Sequence, residues 1–255
     1  MTNRFEVIAL GVGDSFSELH NTAALLLECD GFRLAVDCPD RYRGVLREAG
    51  RRAARPIALE SIDDVFITHV HGDHMNGLEG VAFYKRFAEG KRVRLHTTGE
   101  VRTVIWDQRL RAPMETLFDG SEYRTLSFDD YFDHSPSPWG RPFSIGPFEI
   151  TLRRTKHHVP TAAMLVRAGG RTFGYSSDTA FDPELVAFLS QADVIVHETN
   201  FGPAHTAYAD LLTLPGEVRS RMRLIHYPDT FDPRSSEIPC LAEGEILVVS
   251  PGPVG

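Results

Sequence analysis

The chain of 255 residues has few cysteines and no long apolar run. Its three cysteines, Cys29, Cys38 and Cys240, are odd in number and far apart, so we expect buried thiols rather than a disulfide framework or a CxxC zinc site. No stretch approaches the roughly 18 consecutive apolar residues that a membrane-spanning helix needs. The first residues also lack the apolar segment and cleavage site of a signal peptide. These absences predict a cytoplasmic protein that does not engage a membrane.

An excess of positive charge is also missing. The sequence has 27 Lys and Arg against 35 Asp and Glu, which gives a formal charge of −8. Proteins that bind long nucleic acids neutralise phosphates with Lys and Arg, so no stable nucleic-acid partner is expected. The composition, 42% hydrophobic and 24% charged, is that of a globular protein with enough apolar material for a core. We expect one domain over residues 1–255.

Strand and helix patterns alternate in two successive halves. Strands are predicted at 5–10, 23–29, 32–36, 63–68, 92–97, 148–155, 162–167, 171–176, 193–197 and 223–226. Helices are predicted at 41–50, 74–88, 100–110, 183–189 and 207–212. Two halves of this kind predict an α/β (α+β) fold, a four-layer αββα sandwich. The segment at about 111–145 is rich in Pro and Ser, which favours an irregular insertion or lid.

The most specific motif is the heptad THVHGDH at 68–74. His69 and His71 are two apart at a strand end, so their side chains point the same way. Gly72 permits a sharp turn, after which Asp73 and His74 open the next helix. Imidazoles with a carboxylate suit zinc, manganese or iron. The alternative, a solvated polar loop, is disfavoured by the specificity of the arrangement, and a metal site is predicted.

This heptad resembles the signature of the metallo-β-lactamase superfamily of metal-dependent hydrolases, and the resemblance covers most of the chain. Three further segments match the family in order: KHHVPT at 156–161, YSSDT at 175–179 and MRLIH at 222–226. The resemblance implies that two divalent cations bind, with zinc the first choice and manganese or iron as alternatives. It also implies the four-layer sandwich.

Residue by residue, the resemblance assigns the ligands as follows. One cation takes His69, His71 and His158; the other takes Asp73, His74 and His226; Asp178 bridges the two. Asp73 is counted with the catalytic residues as well. His158 is preferred to its neighbour His157 on register, and His157 is expected to support the site or lie at the surface. Asp37, at the end of an early strand, is expected to support a ligand from behind.

Two segments resemble the ribonuclease Z-like branch of the superfamily. DVIVHET at 193–199 matches a strand end, and AHT at 204–206 matches a His that leads into a helix. The resemblance implies that Glu198 orients His205, which protonates the departing oxygen of a phosphodiester. An alkoxide leaving group does need a positioned proton donor. Taken alone, His205 would be interpreted as a surface histidine.

The substrate is expected to be small. Ribonuclease Z carries a tRNA-gripping arm between its third motif and its bridging Asp, but here His158 and Asp178 are only 20 positions apart. Arm-less members of the branch include cyclic nucleotide phosphodiesterases, among them the anti-Pycsar enzymes of phages and bacteria. We therefore expect a dinuclear-metal phosphodiesterase in which metal-bound hydroxide attacks a 3′,5′-cyclic nucleotide and His205 is the general acid.

Several alternatives stay open at this stage. The chain could be a tRNA-processing ribonuclease Z, a thioester or lactone hydrolase of the glyoxalase II type, or a non-catalytic metal or nucleotide sensor. Four aromatic residues of the 111–145 segment could stack on a base, across a homodimer interface, or could pack that segment down. They are Phe128, Tyr131, Phe132 and Trp139.

Overall fold

The computed structural model describes residues 4–250. Its strands are β1 (Glu6–Gly11), β2 (Ala24–Cys29), β3 (Phe32–Val36), β4 (Asp64–Phe66), β5 (Val93–Thr97), β6 (Thr116–Phe118), β7 (Tyr123–Thr125), β8 (Phe132–Pro136), β9 (Phe143–Ile145), β10 (Phe148–Arg154), β11 (Ala162–Ala168), β12 (Arg171–Tyr175), β13 (Val194–Glu198), β14 (Met222–Ile225) and β15 (Ile246–Val248). They form a seven-stranded sheet, β15-β1-β2-β3-β4-β5-β8, a six-stranded sheet, β14-β13-β12-β11-β10-β9, and the hairpin β6-β7.

The helices lie between these strands along the chain. They are α1 (Tyr42–Arg52), α2 (Gly72–Met75), α3 (Leu78–Glu89), α4 (Gly99–Val104), α5 (Arg111–Met114), α6 (Pro183–Leu189), α7 (Tyr208–Leu212) and α8 (Gly216–Arg219). A π-helical segment, Ile105–Leu110, joins α4 to α5, and short 3-10 turns lie at Leu59–Ser61, Phe128–Asp130 and Pro233–Ser235. Among the described residues, no helix is both long enough and apolar enough to cross a bilayer.

Three apolar clusters separate four layers. Because side chains alternate across a strand, β1 sends Ile8 and Leu10 toward the helices α1 and α3, and Val7 and Ala9 toward the second sheet. The middle cluster is formed by the facing sides of both sheets, and a third cluster packs α6, α7 and α8 on the outer side of the second sheet. The predicted αββα sandwich is confirmed.

Parallel strands in both sheets bring polar residues to one edge. β3, β4, β5 and β8 run parallel in the first sheet, and β12, β13 and β14 run parallel in the second. The residues that follow β3, β12 and β14 leave the strand in the left-handed region, with φ of 65° at Asp37, 49° at Ser177 and 59° at His226. Non-glycine residues in this region cost on the order of 1–3 kcal/mol each and are concentrated at functional sites. These turns direct the ends of the strands toward a common volume.

The predicted helix at 74–88 is divided into α2 and α3. At Gly77 an added Cβ would lie 2.1 Å from the carbonyl oxygen of Pro39, so the chain can pass the end of β3 only with glycine at this position. Because of this division, α2, which contains Asp73 and His74 of the motif, takes a direction different from that of the long amphipathic α3.

The prediction of an irregular segment at 111–145 is wrong for part of it. Phe132–Pro136 forms β8, the edge strand of the first sheet, and the preceding stretch contains the hairpin β6-β7. Phe128, Tyr131 and Phe132 are buried against Trp106 and α3. Trp139 is partly buried, with the Arg154 guanidinium over its ring. Buried rings cannot stack on a ligand, so three of the four aromatic residues hold the segment down instead.

The cysteines agree with the expectation of free thiols. Cys29 and Cys38 are buried, Cys240 is partly buried, and no two of them are joined.

His197 on β13 is a buried histidine outside the strand-edge site. It follows Ile195 by two positions and therefore lies on the helix side of the sheet, while its neighbour Glu198 faces the other sheet. Its Nδ1 lies 2.7 Å from the carbonyl oxygen of Glu198, to which it donates. Burial lowers the pKa of His197 to about 4.

We expect His197 to make the protein less stable in acid. The unfolded chain takes up a proton on this histidine near its ordinary pKa of about 6.5, whereas the folded chain does so only near pH 4. The free energy of unfolding should therefore fall by about 3 kcal/mol from this group as the pH drops between those values. Urea unfolding of His197→Gln and the parent protein at several pH values measures the difference, which should shrink toward low pH. Parallel pH profiles would contradict this assignment.

Candidate metal centre

The polar strand ends meet around a cavity of about 410 Å³ between the two sheets. Its lining includes His71, Asp73, Asp178, His205 and His226. These residues come from four separate chain segments, three of which follow parallel strands. The topology thus brings the heptad at 68–74 together with residues that are far from it in sequence.

One group of ligand atoms surrounds His71. The Nδ1 of His71 lies 3.2 Å from Nε2 of His69 and 3.1 Å from Nε2 of His157. The Oδ2 of Asp178 lies 3.7 Å from both of those Nε2 atoms. Three imidazole nitrogens and one carboxylate oxygen therefore face a common centre, close enough to bind one cation.

A second group lies on the other side of Asp178. The Oδ2 of Asp73 is 3.3 Å from Nε2 of both His74 and His226. The Oδ1 of Asp178 is 3.4 Å from Nε2 of His74, and its Oδ2 is 3.6 Å from Nε2 of His226. The carboxylate of Asp178 thus stands between the two groups, as expected for a residue that bridges two ions.

The structure places His157 in the first group, which corrects the register predicted for His158. The His157 side chain is fully buried and directs Nε2 inward because its Nδ1 donates to the carbonyl oxygen of Ala204, 3.0 Å away. His158 is exposed, and its ring centroid lies 6.2 Å from that of His71. His158 lines the cavity without joining this group, whereas the bond to Ala204 holds His157 within it.

Asp37 orients two of the imidazoles from behind. Its Oδ2 accepts a hydrogen bond from Nδ1 of His74 at 2.8 Å. Its Oδ1 accepts from the backbone N–H and hydroxyl of Thr68, both at 2.9 Å. Nδ1 of His69 lies 2.9 Å from the Thr68 oxygen and donates to it. With the proton of each neutral ring at Nδ1, its Nε2 lone pair faces the centre.

This tautomer assignment shows that the first group fits a cation. The Nε2 lone pairs of His69 and His157 both point at Nδ1 of His71, and a single proton there could satisfy only one of them. Burial lowers the pKa of all three histidines, that of His157 to about 4, so further protons are disfavoured. A metal ion satisfies every lone pair at once.

The second group combines carboxylates with histidines whose pKa values are raised. Burial opposes ionisation of Asp73 and Asp178, but the neighbouring His74 and His226 lower the pKa of both carboxyls. Burial likewise opposes charge on His74, but Asp178, Asp73 and Asp37 raise its pKa well above the ordinary value. Two buried atoms, Oδ1 of Asp178 and Nε2 of His74, make no hydrogen bond and face each other at 3.4 Å. Orphaned polar atoms of this kind fit the ligands of a second cation.

Glu198 and His205 form a pair beside the metal ligands. The Nδ1 of His205 lies 2.9 Å from Oε1 of Glu198, which also accepts from the backbone N–H of Thr179 at 2.8 Å. The His205 ring stacks on His226 with centroids 5.4 Å apart and lines the cavity. Burial and the charge of Asp178 raise the pKa of Glu198 well above its usual range. The pair predicted from sequence is therefore assembled next to Asp178.

Three supporting residues were missed by sequence reasoning. The Thr68 hydroxyl donates to Asp37 and accepts from His69. The Asn200 amide nitrogen lies 3.3 Å from Nδ1 of His226 and 3.2 Å from Oδ2 of Asp14. Thr68 and Asn200 each adjoin a predicted motif, and that position in the sequence indicates a supporting role. Asp14 follows a Gly-x-Gly turn, and nothing in its local pattern indicates a contact with residue 200.

Comparison with known proteins agrees with this geometry. The family described as "Anti-Pycsar protein Apyc1" matches residues 5–245. Proteins of that name are similar to the chain in Paenibacillus sp. (strain J14), 31% identical over 88% of this chain and 89% of the relative, and in Saccharibacillus brassicae, 30% identical over 94% and 98%. A Bacillus phage BSP38 protein of the same name is 29% identical over 91% and 92%.

Solved structures show the same architecture at low sequence identity. YhfI from Bacillus subtilis, described as a metallo-β-lactamase fold protein, superposes with a TM-score of 0.72 at 18% identity over 96% of this chain and 99% of that one. Unliganded yeast PDE1 gives 0.74 at 13% identity over 96% and 99%, and the short form of human tRNase Z (ELAC1) gives 0.67 at 20% over 96% and 99%. Likeness at these identities establishes the fold.

The αββα sandwich with a His and Asp cluster at its strand ends is a metallo-β-lactamase fold. Within it, the chain belongs to the anti-Pycsar protein Apyc1 family.

The choice between His157 and His158 can be tested by metal content. We expect His157→Ala to lose at least one equivalent of bound metal after dialysis, because it removes one of three nitrogen ligands of the first group. His158→Ala is the matched control and should retain the metal content of the parent protein. Elemental analysis of both variants measures this. Loss of metal from His158→Ala alone would restore the sequence-based register.

Asp37 should control metal affinity through the tautomer of His74. In Asp37→Asn the amide nitrogen can donate to Nδ1 of His74, which moves the ring proton to Nε2 and blocks that ligand atom. Asparagine also tolerates the left-handed backbone at this position. We expect metal affinity to fall about 10- to 100-fold in competition with a chromophoric chelator. Asp40→Asn, at an exposed position, is the control; equal affinities in both variants would contradict the role of Asp37.

Proposed function

We propose that the protein is a metal-dependent phosphodiesterase that hydrolyses a 3′,5′-cyclic nucleotide. The observation that carries the proposal is the Glu198–His205 pair, which lies at the cavity beside the bridging carboxylate Asp178. A metal cluster alone would serve many hydrolases, but a paired histidine adds a proton donor for a poor leaving group.

The cations would be held by two sets of residues that share Asp178: His69, His71 and His157 on one side, and Asp73, His74 and His226 on the other. Two divalent cations bound there would supply positive charge for the phosphoryl oxygens and would make water a nucleophile at neutral pH. Zinc is the first expectation, and the same nitrogen and carboxylate set also suits manganese and iron.

The pair holds a proton ready at Nε2 of His205. Burial raises the pKa of Glu198, and when this carboxyl is protonated its O–H donates to Nδ1 of His205. The ring proton is then at Nε2, which is the donor. Because the backbone N–H of Thr179 holds Glu198 in place, the ring is fixed in the orientation that delivers this proton to the departing 3′-oxygen.

The size of the site and the charge of the chain favour a small substrate. β11 and β12 are joined by Gly169 and Gly170 alone, both at positive φ, so no arm extends between His157 and Asp178. The cavity of about 410 Å³ lies in the range of small-molecule sites. A formal charge of −8 disfavours a folded RNA, which is gripped through many phosphate contacts.

The general-acid role predicts a dependence on the leaving group. For a cyclic nucleotide, whose leaving group is an alkoxide, we expect His205→Ala to lower kcat by about 100- to 10,000-fold. For bis-p-nitrophenyl phosphate the loss should be far smaller, because p-nitrophenolate departs without a proton. Steady-state kinetics of the zinc- and manganese-loaded enzymes measure both. His96→Gln, on β5 away from the cavity, is the control and should match the parent enzyme.

Other outcomes would identify other functions. Cleavage of a tRNA precursor in preference to cyclic nucleotides would indicate a ribonuclease Z. Hydrolysis of a thioester or lactone that is unaffected by His205→Ala would indicate a glyoxalase II type of enzyme. If His205→Ala lowers kcat by the same factor for both phosphodiesters, the histidine does not act as the proton donor.

A further inference from the structure

Two phenylalanine rings stand exposed at the mouth of the metal cavity. Phe16 is 76% exposed and Phe201 is 60% exposed, and both line the cavity. Their ring centroids are 6.3 Å apart and their planes differ by 19°, so they stack on one another with their remaining faces free. Exposed large apolar side chains that are clustered beside a pocket mark binding surfaces.

Hydrogen bonds fix the two rings relative to each other. The backbone N–H of Phe16 donates to Oδ1 of Asp14 at 2.9 Å, and the backbone N–H of Phe201 donates to Oδ1 of Asn200 at 2.8 Å. The amide nitrogen of Asn200 donates to Oδ2 of Asp14 at 3.2 Å, which joins the two loops. Asp14 is buried, so this joint is shielded from water.

The same joint reaches the metal cluster. The Asn200 amide lies 3.3 Å from Nδ1 of His226, whose Nε2 faces Asp73 and Asp178. On the other side, Asp229 accepts hydrogen bonds from the Ser17 hydroxyl and the backbone N–H groups of residues 18 and 19, at 2.5, 2.7 and 3.3 Å. The loop that carries Phe16 is thus held at both ends, and the rings are preorganised relative to the proposed cations.

We propose that Phe16 and Phe201 form a platform on which the base of the nucleotide stacks while its phosphate reaches the metal ligands. This inference rests on the proposed function. It follows from the placement: the charged groups form the floor of the cavity, and the apolar rings form its mouth. A nucleotide has the same polarity, with an anionic phosphate at one end and an aromatic base at the other. The aromatic residues of the 111–145 segment cannot serve here, because three of them are buried.

The platform predicts losses that depend on the base. For a cyclic nucleotide, Phe16→Ala and Phe201→Ala should each raise KM by about 5- to 100-fold with kcat nearly unchanged. For a 3′,5′-cyclic sugar phosphate that lacks the base, KM should match that of the parent enzyme. Phe16→Tyr should restore binding. Phe87→Ala is the matched control, because Phe87 is 57% exposed on α3 and does not line the cavity.

The platform proposal is wrong if the two alanine variants have the KM of the parent enzyme for the cyclic nucleotide. It is equally wrong if their KM for the base-free substrate rises by the same factor. It is also wrong if light scattering shows that they change only the oligomeric state, since the rings would then be a contact between two copies of the chain.

Binding measurements separate this inference from the proposed function. If the parent enzyme hydrolyses neither substrate, the proposed function fails. Calorimetric titration with a non-hydrolysable cyclic nucleotide phosphorothioate then decides the platform on its own. Weaker binding by Phe16→Ala than by Phe87→Ala would support it, and equal binding or no binding by the parent protein would overturn it.

Discussion

The buried carboxylate of Asp178 is the constraint on which the site depends. It is 2% exposed, and the aspartates Asp73 and Asp37 lie nearby behind or beside the same imidazoles. An ionised carboxylate is expensive to bury unless positive charge compensates it. Protonated His74 and His226 can supply some of that charge, but protonation uses the Nε2 atoms that face the centre. The two proposed cations would compensate the same carboxylates and leave every imidazole neutral, which is the state that the buried His69 and His157 already favour.

The sandwich explains why such a costly cluster can form at all. Each sheet contributes the carboxyl ends of parallel strands, and the left-handed turns at Asp37, Ser177 and His226 redirect the chain immediately after them. The strands that precede these turns are buried on both faces. Their contacts in the apolar clusters offset the free-energy cost of the turns and of the buried charges. A loop-built site would have no comparable support, because loops bury little apolar surface.

Sequence reasoning succeeded where periodicity or spacing constrains a side chain. The heptad at 68–74 combines strand alternation with a turn, and the family resemblance added Asp178 and His226, which the structure brings to the same cavity. It failed at His157 because residues 155–161 form a loop between β10 and β11, where no alternation decides which of two adjacent histidines points inward. The decision is made by the carbonyl oxygen of Ala204, far along the chain. The edge strand β8 was missed because pairing with β5 outweighed its content of Pro and Ser.

His226 connects the two halves of the cavity. Its Nε2 faces Asp73 and Asp178 at the floor, while its Nδ1 faces Asn200, which holds the backbone of Phe201 at the mouth. Its ring also stacks on His205, the proposed proton donor. A rotation of this one imidazole would therefore disturb a metal ligand, the donor and the mouth together. Its left-handed backbone, with φ of 59°, is tolerable because these contacts hold the ring from three sides.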